Sequence, residues 1–152
     1  MRNLTFAQLR NNYLKFCPKD PVSQKTVEAI EGLLYISLPN DLKEISSFYS
    51  GGMLGGISHF EISDISQADS ITEKTLEWRT SINLPQNYIA IAEPPESLIV
   101  LDVEKNKVFW LSSTDAVRLN TGEEFLSDFD LFDNYESFFI FLLKLEAEEM
   151  EG

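Results

Sequence analysis

Scarcity sets the first bounds on this chain of 152 residues: it has one cysteine, Cys17, and one histidine, His59. A lone thiol forms no intramolecular disulfide, and neither a cysteine-rich nor a multi-histidine zinc site can be assembled, which fits a reducing compartment. Long apolar runs are also missing. The longest, Phe138 to Leu143, is far too short to span a bilayer, and the opening MRNLTFAQLRNNYLKF has no continuous apolar stretch of the signal-peptide kind. A soluble, cytoplasmic protein is expected. Seven glycines and six prolines are too few for a low-complexity chain, and no internal repeat is visible.

Basic charge is the other shortage. Twelve Lys and Arg against 25 Asp and Glu leave a net charge of −13. The imbalance is uneven: residues 121–152 hold ten acidic residues and one lysine, whereas residues 1–25 hold five basic residues and one aspartate. An anionic surface of this kind repels nucleic acid and anionic lipid and attracts a cationic partner at long range. Solubility alone is the plainer account of the same charge.

What is present is enough for one substantial core, with 43% hydrophobic residues and 11 Phe. Leu4 to Phe16 reads as an amphipathic helix with Leu9 and Tyr13 on one side, closed by Pro18 and Pro21. It reads as an arm, residues 1–22, appended to a domain spanning 23–152. Ser23 can cap a second helix, 24–35, in which Val27, Ile30 and Leu34 recur at spacings of three and four. Pro39 suits a helix entry, with Asn40 and Asp41 near its positive end, so a third helix is expected over 40–49. Gly51 and Gly52 then suit a left-handed cap, and Gly55 and Gly56 a tight reversal before a strand at Ile57 to Ile62. These glycines follow a helix C-terminus, which argues against a phosphate loop, where they would precede a helix N-terminus.

Ser70-Ile71-Thr72-Glu73 matches a capping box opening a helix over 70–82, with Ile71, Thr75, Trp78 and Ile82 on one face. Short runs at Tyr88 to Ala92, Leu98 to Asp102, Lys107 to Leu111 and Ala116 to Asn120 read as strands, and their short connections favour antiparallel neighbours. Leu98 to Leu101 is continuously apolar and is expected at the sheet centre. An acidic link, Glu123 to Asp133, leads to a closing helix, 134–149, whose apolar residues cover more than one stripe. The expected fold is α+β: one domain with a mainly antiparallel sheet of about five or six strands surrounded by helices.

Catalytic and cofactor constellations do not emerge. His59 has no spacing to Cys17 or any Asp that nominates a triad, and a structural place at a strand edge suits it better. Asp128 to Asp133 begins like a calcium loop, but Phe132, Asp133 and Phe139 fall where a ligand, a glycine and a glutamate are needed. No enzyme, cofactor or metal is expected.

The order of elements resembles that of the SUKH superfamily, which includes a yeast regulator of cell-wall synthesis and many bacterial immunity proteins. The resemblance runs from about Gln24 to Glu149. It rests on Val27 to Leu34, Leu38-Pro39-Asn40-Asp41-Leu42-Lys43, Ser50-Gly51-Gly52, the helix from Ser70, Leu84-Pro85, Ile89 to Ala92, and Leu98 to Asp102 followed by Lys107-Val108-Phe109. A Trp of the pattern near the glycine turn is missing, with Met53 and Phe60 nearby instead. Residues 1–22 lie outside the pattern. The resemblance implies an immunity protein that neutralises a cognate bacterial toxin domain, often a nuclease. The alternative is an intracellular scaffold or regulator with the same fold. The charge independently favours a basic toxin, since a nuclease must present a cationic surface to its polyanionic substrate.

The partner surface is expected where carboxylates have almost no basic neighbours in sequence: Glu93, Glu96, Glu123, Glu124, Asp128, Asp130, Asp133 and Glu136. Desolvating unpaired anions is costly, so they should be exposed. Phe125, Phe129, Leu131, Phe132 and Tyr135 are interleaved with them, either as buried anchors of the link or as hot spots beside the charges.

Overall fold

A computed structural model describes residues 5–15, 17 and 20–151. Three helices come first: α1 (Phe6–Leu14), α2 (Gln24–Leu34) and α3 (Asn40–Ile45). A hairpin of β1 (Gly52–Leu54) and β2 (Ile57–His59) follows, then α4 (Ile71–Ile82), β3 (Tyr88–Ala92), β4 (Ser97–Asp102) and β5 (Lys107–Ser112). The chain ends with α5 (Ser113–Ala116), α6 (Arg118–Thr121), β6 (Asp130–Phe132) and α7 (Tyr135–Glu151). All six strands pair antiparallel in one sheet, in the order β1 to β6. The α+β class and antiparallel sheet are therefore as expected.

The sheet separates two cores. Ile89, Ile91, Ile99, Leu101 and Val108 face the larger one, filled from α1, α2, α3 and α7. Ala90, Leu98, Val100 and Leu111 face the smaller one, closed by Leu84 and Ala116 with Trp78 and Leu119 at its margin. Burial on both faces explains why Leu98 to Leu101 is continuously apolar, and β4 indeed lies between β3 and β5. A bulge in β3 sets Ala90 opposite Val100 but Ala92 opposite Ile99, sending both Ile91 and Ala92 to the larger core. Beside the bulge the Ala90 N–H donates to the buried Thr75 hydroxyl at 2.9 Å, tying α4 to the sheet.

The start of α7 is held by two distant parts of the chain and by the residue just before it. Tyr135 N–H donates to Asn106 Oδ1, Glu136 N–H to Asp41 Oδ2 and Ser137 N–H to Asn134 Oδ1, so three donors that a helix N-terminus leaves open are all met. Asn106 Nδ2 also donates to Asp41 Oδ1 at 3.0 Å. Asp41 thus caps a helix 95 positions away, and α3 itself has no side-chain cap. Further along α7, Gly55 approaches so closely that a Cβ would sit 2.6 Å from the Leu142 carbonyl oxygen, and its φ is +61°. Its N–H donates to Glu146 Oε1.

Four sequence expectations are corrected. First, α3 stops at Ile45, not residue 49, and Phe48 and Tyr49 turn into the core beyond it. Second, Gly51 and Gly52 therefore do not cap that helix; a Cβ on Gly51 would meet the Phe60 carbonyl oxygen, so close backbone approach is what requires glycine there. Third, Ala116 to Asn120 is helical. The Ser112 hydroxyl accepts from Asp115 N–H and opens α5, while Ala116 and Leu119 reach the core at a helical spacing of three. Fourth, the acidic link contains a strand, β6, and the strand expected at Ile57 to Ile62 is the second half of a hairpin. Of the expected first helix and its stop, Leu4, Phe16 and Pro18 lie outside the described residues. Leu9 and Tyr13 of α1 are buried, with the Tyr13 ring against Phe48, Tyr49 and Phe139.

Candidate functional site

The segment after α6 is fixed by one buried carboxylate. Asp115 accepts from Leu126 N–H at 2.8 Å and Ser127 N–H at 2.9 Å. These amide donors, the Leu126 bond foremost, lower its pKa below the usual aspartate range. Arg118 approaches Asp115 at 3.7 Å and pairs with Glu123. Residues 126–131 run on from this pin with every side chain exposed, and β6 takes its place beside β5 as Val108 opposes Phe132, Phe109 opposes Leu131 and Trp110 opposes Asp130.

The predicted site residues divide along the sheet. Glu123, Glu124 and Asp128 gather around an open depression of about 580 Å³ that Phe125 and Phe129 also line, and Asp130 opens β6 opposite Trp110 near the end of β5. The Phe125 and Phe129 rings meet edge-on at 4.9 Å, and Phe129 lies 6.1 Å from Phe109. Glu96 is exposed at the same end of the sheet, its carbonyl accepting from Ser113 N–H. Glu93 is exposed there too but follows β3, three strands from β6 and so roughly 14 Å away. Asp133 and Glu136 lie at the opposite end, where β6 leaves and α7 begins. Glu136 is half-buried, and burial, with Asp41 and Glu44 nearby, raises its carboxyl pKa. It belongs to the α7 entrance more than to the exposed edge.

The interleaved apolar residues also divide. Tyr135 is buried, and Phe132 packs on Phe138 and Phe141 of α7 at 5.2 Å from each. Phe125 is half-buried. Phe129 and Leu131 are 39% and 49% exposed, and Leu126, which sequence reasoning passed over, is 71% exposed. The signal that separates them is register: Leu131 pairs with Phe109 on the thinly covered sheet face, while Phe132 pairs with Val108 under α7.

A second depression, about 300 Å³, is lined by His59, Phe60, Glu61, Asp69, Lys74 and Glu93 among others. Burial, with Asp20 and Asp69 nearby, raises Glu61 above its ordinary range. Lys74 is engaged with Glu77 at 3.4 Å and stands over the Phe60 ring. His59 is buried, and both its ring nitrogens are occupied. Nδ1–H donates to the Phe60 carbonyl at 2.7 Å, so Nε2 accepts from the Tyr135 hydroxyl at 2.8 Å. Burial pushes its pKa down to about 4. A neutral, buried imidazole of this kind holds the β2–α7 contact. Among the described residues no group of three His, Cys, Asp or Glu side chains is placed to hold a metal ion, and no helix is long and apolar enough to cross a membrane.

An antiparallel sheet with helices on both faces is an α+β arrangement consistent with the SUKH fold. A family model described as SUKH_5, SMI1-KNR4 cell-wall, matches residues 4–131, and the chain belongs to that family. The match takes in α1, which the motif pattern had left outside, and ends within β6. No curated protein matches the chain. Membership points to an immunity-type or SMI1-KNR4-like protein.

Proposed function

We propose that this protein is a cytoplasmic immunity protein that binds a cognate basic toxin domain, a nuclease, and occludes its substrate surface without catalysis of its own. The observation that supports this is the edge spanning 123–131, where exposed carboxylates alternate with exposed Leu126, Phe129 and Leu131. Long-range attraction between this anionic edge and a cationic cleft speeds encounter, and burial of the apolar side chains lengthens the bound lifetime. The contact surface we assign comprises Glu123, Glu124, Asp128 and Asp130, with Glu93, Glu96, Asp133 and Glu136 flanking it.

The test is co-purification with the product of the adjacent gene, followed by an assay of that product's nuclease activity with and without this protein. Stoichiometric inhibition is expected. The triple variant D128K/D130K/D133K should associate about tenfold or more slowly at low salt and lose most of the salt dependence of the rate. An unchanged association rate would remove this surface from consideration. The cell-wall designation of the family favours a second reading as an intracellular scaffold or regulator. Capture of a non-toxin partner, with no inhibition of the neighbouring gene product, would select it.

A further inference from the structure

β6 is the last strand of the sheet, with no strand beyond it among the described residues. In an antiparallel ladder successive residues turn their N–H and C=O alternately toward and away from the neighbour, so β6 offers main-chain donors and acceptors to solvent. Native proteins shield such an edge with charge, and Asp130 and Asp133 fit that role. Shielding alone does not account for Leu131, half exposed beside Phe109, or for Phe129 and Leu126 next to it. The edge combines pairing capacity, apolar contact area and one sign of charge.

Charge decides what can pair there. A second copy laid antiparallel on β6 would crowd Asp128, Asp130 and Asp133 against the acidic edge of its twin, in a protein whose net charge is already −13. Like charges opposed across strands destabilise the pairing. A cationic strand meets the reverse condition. Its side chains must also alternate, because Asp130 lies opposite Trp110 on one face of the sheet and Leu131 opposite Phe109 on the other.

We propose that β6 is a docking edge, onto which an extended segment of the basic partner adds as a seventh strand, with basic residues beside Asp130 and apolar residues beside Leu131 and Phe109. This rests on the reading of the partner as basic and adds how it is held. Main-chain hydrogen bonds supply affinity, and the alternating side chains supply register and selectivity.

The experiment uses the full chain, labelled with nitrogen-15, and two synthetic octapeptides of equal charge, one alternating Lys with Val and one alternating Lys with Pro. The Lys-Val peptide is expected to shift the amides of Asp130 to Phe132 saturably and to slow their hydrogen exchange. The Lys-Pro peptide has no N–H at its proline positions and a φ fixed away from a regular strand, and its binding is expected to be at least about tenfold weaker. Leu131→Ser should weaken the Lys-Val peptide while leaving the spectrum of the rest of the fold in place. Equal binding of the two peptides, absence of saturable binding, or shifts centred away from β6 would overturn strand addition. If D128K/D130K/D133K loses the toxin while the two peptides bind alike, the acidic surface stands and the seventh strand falls. If the peptides discriminate but the toxin binds the triple variant unchanged, the docking edge stands and the toxin assignment falls.

Discussion

Carboxylates inside the fold and carboxylates on the β6 edge have opposite surroundings. Asp41 accepts from Glu136 N–H and Asn106, Asp102 from Glu104 and Lys105 N–H, and Asp115 from Leu126 and Ser127 N–H. Each meets backbone donors that a helix start, a β-turn or a loop would otherwise leave open. Asp128, Asp130 and Asp133 are exposed, and among the described residues their carboxylates meet no hydrogen-bond donor or cation. An acidic composition therefore contains two populations, one used by the fold and one left available to a partner. They differ in which backbone they reach, not in residue type.

The largest expected effect comes from the buried polar interior. His59 is held neutral, with its pKa lowered from 6.5 to about 4. An unfolded chain takes up the proton first, so this stabilisation is complete above pH 6.5 and is lost as pH falls from 6.5 through 4. Its full size is about 3 kcal/mol. Urea unfolding at pH 7, 5.5 and 4.5 should show the loss, and His59→Gln should flatten it over that window. An H59Q variant with the same pH dependence as the parent would assign the acid sensitivity to other groups.

A smaller effect separates the two kinds of aspartate directly. Asp41→Ala leaves the Glu136 N–H and Asn106 without their partner, removes an anion from the start of α7, and should cost about 1–2 kcal/mol. Asp130→Ala should change stability by no more than about 0.5 kcal/mol. Thermal melts of the two variants side by side make the comparison. Equal destabilisation would mean that edge and interior carboxylates are not distinct.

Periodicity made α2, α4, β3 and β4 legible, because each has an apolar pattern set by its own burial. The reach of Asp41 was not legible: Pro39-Asn40-Asp41 reads as a local helix entry, and nothing in the chain signals that the carboxylate serves α7. β6 was hidden for a related reason. Asp130-Leu131-Phe132 is short and half acidic, and only pairing with Val108 to Trp110 makes it a strand. In Ala116 to Asn120, β-like composition was overridden by the Ser112 cap and the pull of Asp115 on the following loop. Of the candidate surface, the exposed acidic residues followed from composition, whereas its division between two ends of the sheet and the exposure of Leu126 needed the register.

The smallest expected effect on stability comes from replacing all three edge aspartates at once. D128K/D130K/D133K removes three anions from a region holding ten acidic residues and one lysine, so close-range repulsion within residues 121–152 falls. No hydrogen bond of the fold is lost among the described residues, and the side chains already lie in water. The expected change is within about 0.5 kcal/mol, with the variant slightly the more stable at low salt. Salt screens the same repulsion in the parent, so raising ionic strength should stabilise the parent more than the variant and bring the two melting curves together. Melts at low and high salt test this in the isolated protein. A large destabilisation by the triple variant at both salts would show that the edge aspartates hold the fold after all, and a loss of toxin binding in that variant would then say nothing about the contact surface.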